Sequence, residues 1–125
     1  MRILLDTHIL LWALTDNPKL SIQARETIVD EGNELRVSAA SIWEISIKQS
    51  LGKLDAPEDL LETIEATPFD ILPITAKLAI EVRHLPLHHR VPFDRMLIAQ
   101  ARLEGMTIAT RDRTFEGYGV PIMVA

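Results

Sequence analysis

Four carboxylates in this sequence stand in or just past apolar segments: Asp6 in RILLDTHILLWAL, Glu44 in SIWEISIK, Asp94 in PFDRMLIAQA and Asp112, just past MTIAT, in ATRDRTF. Withdrawing even a neutral polar group from water costs roughly 2–7 kcal/mol, and a charge costs more unless something satisfies it. Each acid alone has an ordinary role. Asp6 reads as a helix N-cap, Asp94 as a complement to a helix dipole, Glu44 as a helix-face residue and Asp112 as a turn residue. Together they pose a different problem, because clustered carboxylates repel one another unless they are protonated or neutralised by cations. The chain has no cysteine and no histidines at zinc-like spacing, so an oxygen-only donor set favours Mg²⁺ or Mn²⁺. Mg²⁺ held by a few carboxylates keeps waters and takes phosphate oxygens, which suits hydrolysis of a phosphodiester.

The elements that must position these acids follow from hydrophobic periodicity. Arg2–Leu5 reads as a short buried strand, and Ile9, Leu10, Trp12 and Ala13 then recur at helical spacing. Ser21 is an N-cap for a second helix that ends near Gly32. Residues 35–38 read as a strand, Ser41 opens a third helix ending near Gly52, and 55–66 is a helix with Pro57 in its first turn. A strand at 69–72, a helix at 75–83, a helix from Pro92 to Gly105, a strand at Thr107–Thr110 and a last one at 120–124 complete the order. Strands alternating with helices predict an α/β fold: a mostly parallel sheet of about five strands with helices on both faces. In such sheets sites form at the carboxyl edge, where Asp6 and Asp112 are both expected.

Composition sets the class. The 125 residues are read as one domain, 1–125, with 47% hydrophobic and 25% charged residues, ordinary for a globular protein. There is no long apolar span and no signal-like start, so no membrane partner and a cytoplasmic location are expected. The net charge of −5 gives no global reason to bind nucleic acid, so charge distribution has to decide. The segment RHLPLHHRVPFDR carries Arg83, Arg90 and Arg95 with His84, His88 and His89 and no acid before Asp94. Arg90, Arg95 and Arg111 are the candidates for phosphate contacts, against the alternative of a solvated loop. His84 and His88 have helical spacing, but Pro86 between them breaks the helix.

The blocks LLDTHILLWAL, SAASIWEISIKQSLGKL, PFDRMLIAQA and TIATRDRTFEGY, in that order, resemble the PIN-domain ribonucleases, and more closely the VapC-type toxins of bacterial toxin–antitoxin pairs. The resemblance implies a PIN-like fold in which Asp6, Glu44, Asp94 and Asp112 are the catalytic acids and together bind Mg²⁺ or Mn²⁺. Asp6 and Asp94 would be the direct ligands, and Thr110 matches a small hydroxyl residue that supports such sites. It further implies an endoribonuclease that hydrolyses RNA by a metal-activated water, leaving 5′-phosphate and 3′-hydroxyl ends. The implied partners are an RNA substrate, a cognate antitoxin and a second copy in a homodimer, with higher toxin–antitoxin assemblies open.

The rival readings come from two classes. A phosphotransferase with an aspartyl nucleophile after the first strand wants an acid two residues on, where this chain has His8. The other is a catalytically silent PIN-like module that binds RNA or protein. Trp12 and Trp43 are read first as core residues, Glu116 as a solvated turn, and Thr7 and His8 as residues that either support the acids from behind or are structural.

Overall fold

The computed structural model describes residues 1–87 and 91–125, so the sequence expectations for His88, His89 and Arg90 lie outside the described residues. Its elements follow one another as strand β1 (Arg2–Leu5), helices α1 (Thr7–Leu14) and α2 (Ile22–Val29), strand β2 (Glu34–Ser38), helices α3 (Ala39–Ser50) and α4 (Leu60–Glu65), and strand β3 (Asp70–Leu72). Helix α5 (Ala76–Glu81), a 3-10 turn (Val82–His84), helix α6 (Pro92–Glu104), strand β4 (Thr107–Thr110), a second 3-10 turn (Arg113–Tyr118) and strand β5 (Ile122–Val124) follow.

The five strands form one sheet in the order β3-β2-β1-β4-β5. Every pairing is parallel, with Ile3 opposite Leu35 on one side and opposite Thr107 on the other. β1 is a four-residue strand whose Ile3, Leu4 and Leu5 are fully buried. Alternation sends Ile3 and Leu5 to one face and Leu4 to the other. The first face packs Ile9 and Leu10 of α1, Ala24 of α2, Ile45 of α3 and Ile64 of α4. The second packs Leu78 of α5, Leu97 and Ile98 of α6, Ile108 and Phe115. The expected α/β architecture, with a parallel sheet covered on both faces, is therefore what the chain adopts.

The chain leaves β1 toward β2 and β3, then crosses back to β4 on β1's other side. The strand order reverses between β1 and β4, and a crevice opens at that point beyond their carboxyl ends.

The boundaries that differ have local causes. α3 begins at Ala39 rather than Ser41, because Ser38, extended at the end of β2, caps it by accepting a 3.0 Å bond from the Ala40 N–H. Ser41 is thereby moved inside the first turn and buried. The helix expected at 55–66 shortens to α4, and the preceding loop is tied to α3 by the Gln49 side-chain amide donating 3.0 Å to the Ala56 carbonyl. The helix expected at 75–83 ends as α5 at Glu81 and continues only as a 3-10 turn. The strand expected at 120–124 starts at Ile122, since Pro121 has no N–H to give the ladder and offers only its carbonyl, to Ile108 N–H at 2.9 Å. At the end of α6, Gly105 takes the left-handed conformation, φ 64°, that closes the helix.

Candidate active site

Asp6 is delivered by the end of β1 and caps α1, its Oδ1 accepting a 2.8 Å bond from the Ile9 N–H. The capping reading and the site reading are both realised, because the same carboxylate faces a cavity of about 410 Å³ at the crevice. Glu44, Asp94 and Asp112 line that cavity too, with Thr7, His8, Trp12, Lys48, Arg111 and Phe115. Acids from β1, α3, α6 and the loop after β4 thus meet at one sheet edge.

Glu44 is the most enclosed partner, 5% exposed in the middle of α3. The Thr7 hydroxyl donates to its Oε1 at 2.7 Å, and the Lys48 ammonium donates to its Oε2 at 2.6 Å. The buried Ser41 Oγ lies 3.1 Å from Thr7 Oγ1, extending the same network. Lys48 is a site residue that sequence reasoning missed, and Thr7, read as supporting the acids or as structural, takes the supporting place on Glu44. Lys48 had a usable signal, four residues past an acid on a helix. Thr7 had none, since its partner lies 37 residues away.

Thr110 is fully buried at the end of β4. Its side chain hydrogen-bonds Asp6 and accepts a 3.0 Å bond from the Asp112 N–H, so one hydroxyl links two acids. Asp112 caps the following 3-10 turn, Oδ1 accepting from the Thr114 N–H at 3.0 Å. Asp94 sits in the first turn of α6, where Pro92 opens the helix and the terminal N–H groups favour an anion.

Burial is the main force on Asp6 and raises its carboxyl above the ordinary aspartate range. The Thr110 side chain, the Ile9 N–H and the charge of His8 pull it back, while the nearby Glu44 charge adds to the rise. Among the described residues no three carboxylates or imidazoles stand close enough to share one ion, so the acids line a common cavity rather than forming a closed cage. That arrangement fits Mg²⁺ or Mn²⁺ chemistry: Mg²⁺ takes one or two carboxylates and keeps waters, and the four acids offer oxygen donors, with His8, Lys48 and Arg111 on the same wall.

The candidate phosphate contacts separate. Arg95 is a correction: it is buried, not presented to a ligand. Its guanidinium donates to the Pro86, Val82 and Leu85 carbonyls at 3.0, 3.0 and 3.2 Å, pinning the 3-10 turn onto α6. Arg111 does reach the cavity, held by donation from Nε to the Ala125 carbonyl at 2.8 Å, by a bond to the Lys19 carbonyl, and by stacking 4.5 Å over the Trp12 ring. Arg90 lies outside the described residues. Trp43 is not a core residue; it is 57% exposed and meets the Phe93 ring edge-on at 5.2 Å. Glu116 is exposed beside Arg113, 3.4 Å away.

Residues 3–120 match the PIN domain family. No curated protein sequence matches the chain. Among solved structures, the fold is similar to VapBC2 from Rickettsia felis bound to a promoter DNA fragment, at 17% identity and TM-score 0.73, covering 98% of each chain. It is similar to DNA-bound VapBC from Salmonella typhimurium at 20% identity and TM-score 0.70, covering 98% of this chain and 97% of that one. A toxin–antitoxin complex from Klebsiella pneumoniae matches at 21% identity and TM-score 0.66, covering 98% and 96%.

Proposed function

The chain belongs to the PIN domain family, and from that premise we propose that it is a metal-dependent endoribonuclease acting as the toxin of a toxin–antitoxin pair. The observation that carries this reading is the convergence of Asp6, Glu44, Asp94 and Asp112 on one cavity at the crevice between β1 and β4. Asp6 and Asp94 are the groups that would hold Mg²⁺ or Mn²⁺ directly, with Asp112 and Glu44 in the cavity wall beside them. A divalent ion bound there supplies Lewis acidity, making water a stronger nucleophile and offsetting phosphate charge.

The protein's own residues do the rest. Thr110 keeps Asp6 and Asp112 in register, and the caps on α1 and the second 3-10 turn fix both carboxylates. Arg111, anchored by Ala125 and Trp12, presents positive charge in the same cavity for an RNA phosphate. No protein nucleophile is required, and the products carry 5′-phosphate and 3′-hydroxyl ends.

The likeness to chains solved as toxin–antitoxin complexes supports a cognate antitoxin as partner. A basic antitoxin side chain placed among the carboxylates would inhibit by taking the cation's place. A homodimer, in or out of a larger toxin–antitoxin assembly, and a cytoplasmic site of action complete the proposal. No helix among the described residues is long and apolar enough to cross a membrane.

The test is cleavage of cellular RNA by purified protein with Mg²⁺ or Mn²⁺, with excess EDTA, and with Asp94→Asn. Cleavage lost under both perturbations, with 5′-phosphate ends mapped on the products, supports the enzyme. No cleavage under any condition, together with Asp6→Asn behaving like wild type in cells, overturns it in favour of a silent binding module.

A further inference from the structure

Lys48 places a cation inside the acid cavity. Its ammonium sits 2.6 Å from Glu44 Oε2, and it lines the same cavity as Asp6, Asp94 and Asp112. An exposed Glu–Lys pair four residues apart on a helix is commonplace and contributes little. This pair differs, because the Glu44 side chain is only 7% exposed while that of Lys48 is 42% exposed. A buried carboxylate stripped of its counter-ion is strongly unfavourable, so the ammonium is the group that balances the Glu44 carboxylate in place. Thr7 occupies the other oxygen, at 2.7 Å. Both oxygens of Glu44 are therefore engaged by the protein itself, and a divalent ion at the remaining lone pair of Oε2 would sit against the charge of the ammonium.

We propose that Lys48 is a positioning residue that acts as a built-in monovalent occupant of the acid cavity, holding Glu44 out of metal coordination and limiting the site to one divalent ion per chain. The ion then belongs to the Asp6 and Asp94 side of the cavity, and Glu44 serves as a fixed acceptor. The inference rests on the metal reading of the proposed function and adds a stoichiometry to it.

Titration of the full chain with MnCl₂, followed by calorimetry and by the electron paramagnetic resonance signal of free Mn²⁺, tests this without any activity measurement. The wild type is expected to bind one Mn²⁺. Lys48→Met, or Lys48→Gln should methionine disturb the helix, is expected to bind a second ion or to bind the first on the order of tenfold more tightly, since a repelling charge beside the site is gone. Lys48→Arg is expected to match the wild type. If the neutral variants keep wild-type stoichiometry and affinity, or if Lys48→Arg changes as they do, the inference is overturned while the metal reading stands. A wild type that binds no Mn²⁺ overturns both.

Discussion

Thr7 Oγ1 donates a 2.7 Å hydrogen bond to Glu44 Oε1, joining the first residue of α1 to the middle of α3 within the cavity wall. Both side chains are buried, at 6% and 5% exposure, so the bond is made where water offers no replacement.

Thr7→Val keeps the shape and removes the donor. Leaving Glu44 Oε1 short of a partner is expected to cost about 1–3 kcal/mol of folding stability. Urea denaturation measures it, and Thr7→Ser, which restores the hydroxyl, should recover most of the loss. RNA cleavage should fall with valine and return with serine.

Asp6→Asn separates the capping role from the charge. Asparagine caps as well as aspartate, so α1 should survive. The folded carboxyl titrates above its ordinary value of 3.8, so the folded state holds a proton that the unfolded chain has already released. The stability cost of this group is absent below that value, grows as pH rises, and is fully present above the raised one. In EDTA, the wild type should therefore lose stability relative to Asp6→Asn between pH 4 and neutrality, read by denaturation across the range. Mn²⁺ should raise the Tm of the wild type and leave that of Asp6→Asn where it was.

Arg95 spans three carbonyls from the turn before α6. Arg95→Lys cannot reproduce that planar fork, and Arg95→Met removes it. Each is expected to destabilise the fold by about 2–4 kcal/mol through unsatisfied carbonyls. The salt dependence of RNA binding by the folded protein should not change, as measured by fluorescence anisotropy at several salt concentrations.

Arg111→Gln should do the reverse to RNA binding. One phosphate contact fewer lowers the slope of log K against log salt by about 0.7 for a single strand. A slope identical to that of the wild type would count against a phosphate contact at Arg111.

The fold was legible in the sequence where apolar runs are short and bounded. β1 followed from three consecutive apolar residues, α2 from its Ser21 cap, and α6 from Pro92 and Gly105 at its two ends. Asp6, Glu44 and Asp94 were legible because each stands in or against an apolar run, and Asp112 because it follows one by two residues; the structure brings all four to one cavity. What could not be read was anything set by contacts across the chain. Arg95 looks cationic and available in PFDR, yet α5 and its turn close over it. Trp43 has the type of a core residue, but the face of α3 that carries Glu44 inward leaves the indole outside. The start of α3 depended on which of two serines, Ser38 or Ser41, bends its hydroxyl to the backbone, and only the end of β2 decides that.

The pairing of β1 with β4 sets when the protein can act. Ile3 lies beside Thr107, so the strand bearing the first acid waits for one made near the other end of the chain. At usual elongation rates of about 5–20 residues per second, Asp6 and Asp112 emerge roughly 5–20 s apart. Throughout that interval a nascent chain holds some of its acids and has no completed cavity. On the function proposed above, an antitoxin would be needed only once β4 docks, not when translation begins.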